Sequence, residues 1–193
     1  LEHVWTKDNG RRKRLSNTRI IWGTGDIQGG NGMAESLQTS VGQALKARGW
    51  TLSLAESCTG GLIGHLMTEV PGASEYFLGG VICYSDRIKM EQLGVAKATL
   101  VRDGAVSEET ARQMALGARA RLGASFGLAV TGIAGPDGGS EAKPVGTTWI
   151  AVASPDGEQA AHFHFDGDRT SIKQQAAEQA LRFLLAEVKA AGG

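Results

Sequence analysis

Apolar positions change period along this chain, and the changes mark out its elements. Leu37, Val41, Ala44 and Leu45 recur at helical spacing and stop at Gly49. Thr51-Leu52-Ser53-Leu54 alternates as a strand does and runs into Ala55. Leu62, Ile63, Leu66, Met67 and Val70 then return to helical spacing until Pro71-Gly72 breaks it. Val81-Ile82-Cys83-Tyr84 predicts a strand, and Asp86 to Leu93 a short helix closed by Gly94. Ser107 caps a longer helix whose first turn carries Glu108 and Glu109, where negative charge suits the helix dipole, and Gly123 ends it. Leu128-Ala129-Val130 predicts another strand. Residues 149–153 and 161–165 read as a hairpin pair joined through Pro155-Asp156-Gly157. A last amphipathic helix starts at about Thr170, with Ile172, Ala176, Ala180, Leu184 and Val188 on one face.

Alternation of strands and helices without an internal repeat predicts an α/β fold: a single-domain layered α/β/α sandwich whose sheet is covered by helices. The hairpin makes at least one strand pair antiparallel, so the sheet is expected to be mixed. The 193 residues suffice for one domain with a well-buried core. Residues 1–32 do not share the pattern. They hold the basic cluster Arg11-Arg12-Lys13-Arg14 and end in Gly29-Gly30-Asn31-Gly32, directly before Met33. They read as a leader or arm, with the domain occupying 33–193. Ile20-Ile21-Trp22 offers one further strand there.

Charge and composition narrow the function classes. Twenty basic and twenty acidic side chains cancel, so nothing global argues for a nucleic-acid partner, and the basic cluster is short and lacks interleaved aromatics. No apolar run approaches a membrane span or a signal-peptide core. Cys58 and Cys83, the two cysteines, make no disulfide framework and point to a reducing cytoplasm. A dedicated catalytic metal is not expected, for the chain has no His-Glu-x-x-His, no Cys-x-x-Cys and no dense carboxylate cluster. His162 and His164 share a strand face, but without an evident third ligand they read as polar residues on a solvated surface.

Two polar glycine loops remain. Ala55-Glu56-Ser57-Cys58-Thr59-Gly60-Gly61 turns a strand into a helix, offering hydroxyls and backbone N–H groups at a positive helix end. Thr131-Gly132-Ile133-Ala134-Gly135-Pro136-Asp137-Gly138-Gly139 follows a second strand, and the two point to one ligand site built from both. Turn-making is the plainer reading, more so for the second loop. Neither is a Walker A loop. Serine–lysine chemistry fits what else is present. Tyr84 stands at a strand end and Lys89 about a turn into the next helix, where a lysine drawn partly out of water beside Arg87 is suited to general-base duty. Ser74, after Pro71-Gly72-Ala73, is one candidate nucleophile and Ser57 the other. Cys58 lies near a helix N-terminus but reads better as a small buried residue. Taken singly, Lys89 would pass for an exposed helix lysine and Ser74 for a turn residue.

Six motifs in one order carry a resemblance: the Ala55 to Gly61 loop, the Tyr84 to Lys89 segment, Gly104-Ala105-Val106-Ser107-Glu108, the Thr131 to Gly139 loop, Pro144-Val145-Gly146-Thr147, and Gly167-Asp168-Arg169. Together they resemble the C-terminal domain of the competence/damage-inducible CinA proteins, which also exists alone as nicotinamide-nucleotide amidohydrolase. The likeness runs from about Val41 to the last helix. It implies cytoplasmic hydrolysis of nicotinamide mononucleotide to nicotinic acid mononucleotide and ammonia, in pyridine nucleotide recycling, with no metal or organic cofactor and commonly as a dimer. It also implies a catalytic set of Ser74, Tyr84 and Lys89. Substrate binding falls to Ser57, Thr59, Gly60, Thr131, Gly132, Gly135 and Arg169, the last as charged partner of the phosphate. The family usually has Asn after Tyr-Ser, whereas this chain has Asp86, a carboxylate that would oppose use of Lys89 as a base. Two other readings stay open: a non-catalytic nucleotide-binding or protein-interaction module, and an amidase for another small carboxamide.

Overall fold

The structure, a computed structural model, describes residues 5–8, 11–14 and 35–191. Two short strands, β1 (Trp5–Asp8) and β2 (Arg11–Arg14), pair antiparallel with Trp5 opposite Arg14. The basic cluster read as part of a leader thus lies on a strand, flanked by the Asn9-Gly10 dipeptide that favours hairpins. The strand suggested for residues 20–22 lies outside the described residues.

From residue 35 the expected elements follow in order, with one short helix and a 3-10 turn in addition. Helix α1 (Leu37–Lys46) is capped by Ser36, whose side chain accepts from the Thr39 N–H. Strand β3 (Leu52–Glu56) leads to α2 (Leu62–Thr68), and a 3-10 turn (Ala73–Glu75) precedes β4 (Phe77–Ile82). Helix α3 (Asp86–Leu93) begins at the Ser85 cap and ends at Gly94 in the left-handed region. Then follow α4 (Lys97–Asp103), α5 (Glu108–Leu122), β5 (Phe126–Gly132), the hairpin β6 (Thr147–Ser154) and β7 (Gly157–His164), and α6 (Arg169–Ala190). Strand β4 starts four residues earlier than its apolar run predicts, because Gly79 and Gly80 belong to it. A Cβ on Gly80 would stand 2.8 Å from that of Leu54, so the glycine lets β3 and β4 close up.

The five strands lie in the order β4-β3-β5-β6-β7, with β4, β3 and β5 mutually parallel and β5-β6 and β6-β7 antiparallel. The expected mixed sheet is therefore what forms. Pleating sends alternate residues to opposite faces. Leu52, Leu54, Phe126, Leu128, Val130, Ile150 and Val152 build a large-residue core with Val41 and Leu45 of α1, Ile63 and Met67 of α2, and the apolar stripe of α6. The other face shows Ala55, Ala129, Ala151 and Ala153, which pack under Ala111, Met114, Ala115 and Ala118 of α5 and Leu93 of α3. On that face small residues let backbones approach. A Cβ on Gly127 would lie 2.2 Å from the Ala115 carbonyl oxygen, and one on Gly117 of α5 only 2.0 Å from that of Leu93.

Parallel pairing of β3, β4 and β5 gathers their carboxyl ends at one edge, and both glycine loops leave from there. Close packing under α5 fixes their height. Gly117→Ala is accordingly expected to destabilise the fold by about 1–3 kcal/mol, the usual cost of overpacking, read as a lower midpoint in urea with the slope unchanged.

Candidate active site

The first glycine loop is held by a carboxylate that sequence reasoning did not single out. Glu56, the last residue of β3, is buried, and its Oε2 accepts from the N–H groups of Gly61 (2.9 Å) and Ile63 (3.2 Å). Its Oε1 accepts from the Gly64 N–H at 2.8 Å. Gly61, at φ +99°, provides no side-chain cap to α2, so Glu56 does that work from the preceding strand. The helix end expected to offer free N–H groups to a ligand is therefore largely neutralised from within. The clue lay in the spacing: a glutamate six residues ahead of the first helical residue, across a tight glycine turn, is placed to fold back onto the helix end.

This turn presents Ser57. Its N–H donates to the Val130 carbonyl at 3.0 Å, which ties the first loop to the strand that feeds the second. Lys89, one turn into α3, is 1% exposed and reaches back under β4. Its Nζ donates to the Cys83 carbonyl at 2.8 Å and to the Tyr84 carbonyl at 3.5 Å, and lies 3.2 Å from Ser57 Oγ. Asp86 Oδ1 stands 4.0 Å away on the exposed side of the same helix. A fully buried lysine whose one side-chain hydrogen-bond partner is a serine hydroxyl is a nucleophile–base pair in geometry.

Tyr84 joins through its other end. The side chain is exposed, and its hydroxyl accepts from Arg169 Nη2 at 2.9 Å, while Arg169 Nη1 donates to the Gly135 carbonyl at 2.6 Å. One guanidinium thus connects α6, the second glycine loop and Tyr84, and two of its donors are taken. Thr131, buried, spends its hydroxyl on the Ala105 carbonyl at 2.8 Å. Gly132 packs against the first loop, since a Cβ there would be 3.1 Å from Cys58 Sγ. Thr59 is buried and its hydroxyl has no hydrogen-bond partner among the described residues, and the Gly60 N–H donates to the Ser57 carbonyl at 3.2 Å. Ser57, Tyr84, Lys89, Gly135 and Arg169 form one connected set.

Ser74 does not join it within the chain. It sits exposed in the 3-10 turn before β4, next to Tyr76, whose carbonyl accepts from the Leu52 N–H at the start of β3. Lys89 lies at the opposite ends of these strands, where the Cys83 N–H donates to the Glu56 carbonyl. A strand of six residues separates its two ends by about 20 Å. Nearness in sequence across a strand is distance in space, and of the two candidate serines it is Ser57 that lies beside Lys89 within the chain.

Both thiols are buried, which pushes Cys58 up to about 12 and Cys83 to about 11. Burial outweighs the helix end at Cys58. His162 lies beside the Trp149 ring at 5.0 Å and His164 near Asp166 at 3.6 Å, and among the described residues no three potential ligands cluster for a metal. A cavity of about 400 Å³ opens beside the first loop, lined by Thr59, Gly60, Gly61, Leu62, His65, Thr170, Lys173 and Gln174. Lys173 was another residue missed. It stands four positions after Arg169 on α6, which puts both on one helix face.

Two expectations follow. Glu56→Gln exchanges an oxygen acceptor for an N–H₂ donor facing backbone donors and should lower unfolding free energy by about 2–3 kcal/mol, as measured by chemical denaturation. A thiol-specific reagent at pH 8 should label neither cysteine in the folded protein, because each stays protonated and covered, and labelling should appear on unfolding.

Comparison with known proteins identifies the family. The CinA C-terminal domain profile matches residues 34–188. A nicotinamide-nucleotide amidohydrolase PncC of Enterobacter agglomerans is 47% identical over 152 residues, covering 78% of this chain and 93% of that protein. A CinA-like protein of Nostoc sp. is 46% identical over 162 residues, 78% of this chain but 38% of its own length. The chain thus spans little more than a third of the longer curated relatives it matches. Among solved structures, a CinA superfamily protein from Klebsiella pneumoniae superposes with a TM-score of 0.77 at 34% identity, over 80% of this chain and 96% of that one. The competence/damage-inducible protein of Agrobacterium tumefaciens gives 0.74 at 42% identity, over 78% and 92%. With a buried lysine–serine pair at the carboxyl edge of a mixed sheet, and a match through all but its first residues and its last few, the chain belongs to the CinA C-terminal domain family.

Proposed function

We propose that this protein hydrolyses the carboxamide of nicotinamide mononucleotide to nicotinic acid mononucleotide and ammonia, with Ser57 as nucleophile and Lys89 as general base. The observation that carries the reading is Lys89 Nζ at 3.2 Å from Ser57 Oγ, with the lysine buried. The relative named nicotinamide-nucleotide amidohydrolase, matched over nearly its whole length, supplies the substrate class.

In this mechanism Ser57 Oγ attacks the amide carbon and its proton passes to neutral Lys89. Backbone N–H groups of a glycine loop hold the oxyanion, other than those of Gly61, Ile63 and Gly64, which Glu56 occupies. Lys89 returns the proton to the departing nitrogen, the carbon–nitrogen bond breaks and ammonia leaves. Water then adds to the acyl-serine ester and gives its proton to Lys89. The ester bond breaks, Lys89 reprotonates Ser57, and the product leaves as the carboxylic acid, which loses its proton to solvent to become the carboxylate. Tyr84, its hydroxyl held by Arg169, assists proton delivery to the leaving group. No step calls on a cofactor. Pyridine nucleotide recycling in the cytoplasm is the setting we assign. No helix among the described residues is long and apolar enough to cross a membrane. The expected dimer has a candidate surface in Leu78 and Ile82, exposed on the edge strand β4.

One observation favours a second reading, a nucleotide-binding module without turnover: the Asp86 carboxylate stands 4.0 Å from Lys89 Nζ. Mononucleotide binding without ammonia release, with release restored by Asp86→Asn, would select it.

Ammonia release from the mononucleotide is the test. Lys89→Ala and Ser57→Ala should each lower kcat by at least about 10²–10⁴-fold, the range for losing a positioned base, while Ser74→Ala should remain within about twofold of wild type. The reverse pattern, with Ser74→Ala inactive and Ser57→Ala active, would overturn the assignment of the nucleophile.

A further inference from the structure

The site as described leaves the substrate's phosphate without a cation. Arg169, expected to meet it, gives one donor to the Gly135 carbonyl and another to Tyr84. The α2 helix end, the other attraction for an anion, already serves Glu56. The cavity between the first loop and the start of α6 offers a different solution. Thr59, Gly60, Gly61, Leu62 and His65 form one wall, and Thr170, Lys173 and Gln174 the other, with no carboxylate among them.

Lys173 is half-buried there and makes no ion pair or hydrogen bond among the described residues. Its ammonium lies over the glycine pair: a Cβ on Gly60 would be 3.7 Å from Nζ. The carboxylates flanking it in sequence, Asp168 and Glu178, and Glu56 of the first loop are all engaged elsewhere, Glu178 with Arg182. Asp168 caps α6 by accepting from the Ser171 N–H at 2.8 Å, and Glu56 is committed to its three N–H donors. His65 adds a second cationic group when protonated, its Nε2 standing 3.5 Å from Glu69. The hydroxyls of Thr59 and Thr170 and the amide of Gln174 add neutral donors, that of Thr59 being unpartnered. An unpaired cation in a concave wall of donors, without an acid, suits an anion with several oxygens and excludes a metal ion.

We propose that this cavity is the phosphate monoester seat of the active site, with Lys173 its principal cation and the residue that separates a mononucleotide from the uncharged nucleoside. The inference rests on the hydrolase reading for its substrate, but not for the anion itself. Thr59 lies two residues beyond Ser57, a chain span of at most about 7 Å, so phosphate and carboxamide are held on the two sides of a single turn. Lys173 would act in binding and leave the chemical step at Ser57 and Lys89 untouched.

The test has two arms. In the first, inorganic phosphate is titrated by calorimetry, and by amide chemical shifts, into wild type, Lys173→Met and Lys173→Arg. Wild type should bind, with shifts confined to the Thr59–Leu62 loop and the first turns of α6. Lys173→Met should bind at least about tenfold more weakly, as loss of a charge-assisted hydrogen bond implies, and Lys173→Arg should recover most of the affinity. In the second arm, ammonia release is followed from the mononucleotide and from nicotinamide riboside, which lacks the phosphate. Lys173→Met should raise KM for the mononucleotide about tenfold or more with kcat within twofold, and leave turnover of the riboside as in wild type. Equal phosphate affinity in wild type and Lys173→Met, or an unchanged KM, overturns the seat. Absence of ammonia release from either compound by wild type overturns the hydrolase reading alone, and the phosphate arm still decides whether the anion seat exists.

Discussion

The arrangement of the site depends on one buried carboxylate. Glu56 ends β3 and accepts three backbone N–H bonds from the turn that follows. Hydrogen bonds to a charged acceptor contribute about 1.5–3 kcal/mol each, and burying a carboxylate without them would cost far more than the fold could bear. Strand, loop and helix are therefore one unit, folded around that side chain. Ser57 rides on it as the next residue, and the glycines at 60 and 61, both in the left-handed region, supply the backbone path that brings N–H groups back to Glu56. The positive end of α2 is spent on structure. Recognition of a negative ligand must then come from side chains, which gives the basic residues of α6 their importance.

Lys89 follows a similar economy. Its nitrogen is removed from water, yet its hydrogen-bond partners are the Cys83 and Tyr84 carbonyls at the end of β4 and the Ser57 hydroxyl at the end of β3. Two neighbouring parallel strands deliver these acceptors to one point, so the lysine reports the register of β3 against β4. Ser85, which caps α3, sets where Lys89 starts its reach. The pair is thereby pre-positioned by secondary structure, without relying on a mobile loop.

Much of this was legible in the sequence. The sheet class, the hairpin, the caps at Ser107 and the stops at Gly94 and Gly123 follow from period and turn chemistry, which act locally. Strand β4 was shortened because Gly79-Gly80 reads as a loop until the close approach of Leu54 is seen. Helix α4 is short and weakly patterned and was passed over. At the site, Lys89 and Ser57 were both in view, but their pairing was not, because 32 positions separate them. Ser74 was drawn to Lys89 by nearness along the chain, which an intervening strand converts into separation. Glu56 acts on backbone from inside a loop whose hydroxyls and glycines draw the attention, and Lys173 stands alone over a cavity, a role that leaves no spacing pattern.

The reversal of strand direction between β5 and β6 has a consequence of its own. Since β6 runs antiparallel to β5, the connection from Ile133 to Gly146 departs from and returns to the same edge of the sheet, where the Gly146 N–H donates to the Ile133 carbonyl at 2.7 Å. That bond closes the loop at its neck. Residues added or removed beyond the neck would change closure entropy by only about 0.6 kcal/mol for each doubling of length, without shifting any strand pairing. The fold thus keeps beside its reactive edge one stretch of chain whose length the sheet does not dictate; what holds it is the site itself, through the Gly135 carbonyl bound by Arg169 and the Lys143 Nζ bonds to the Asp103 and Val106 carbonyls.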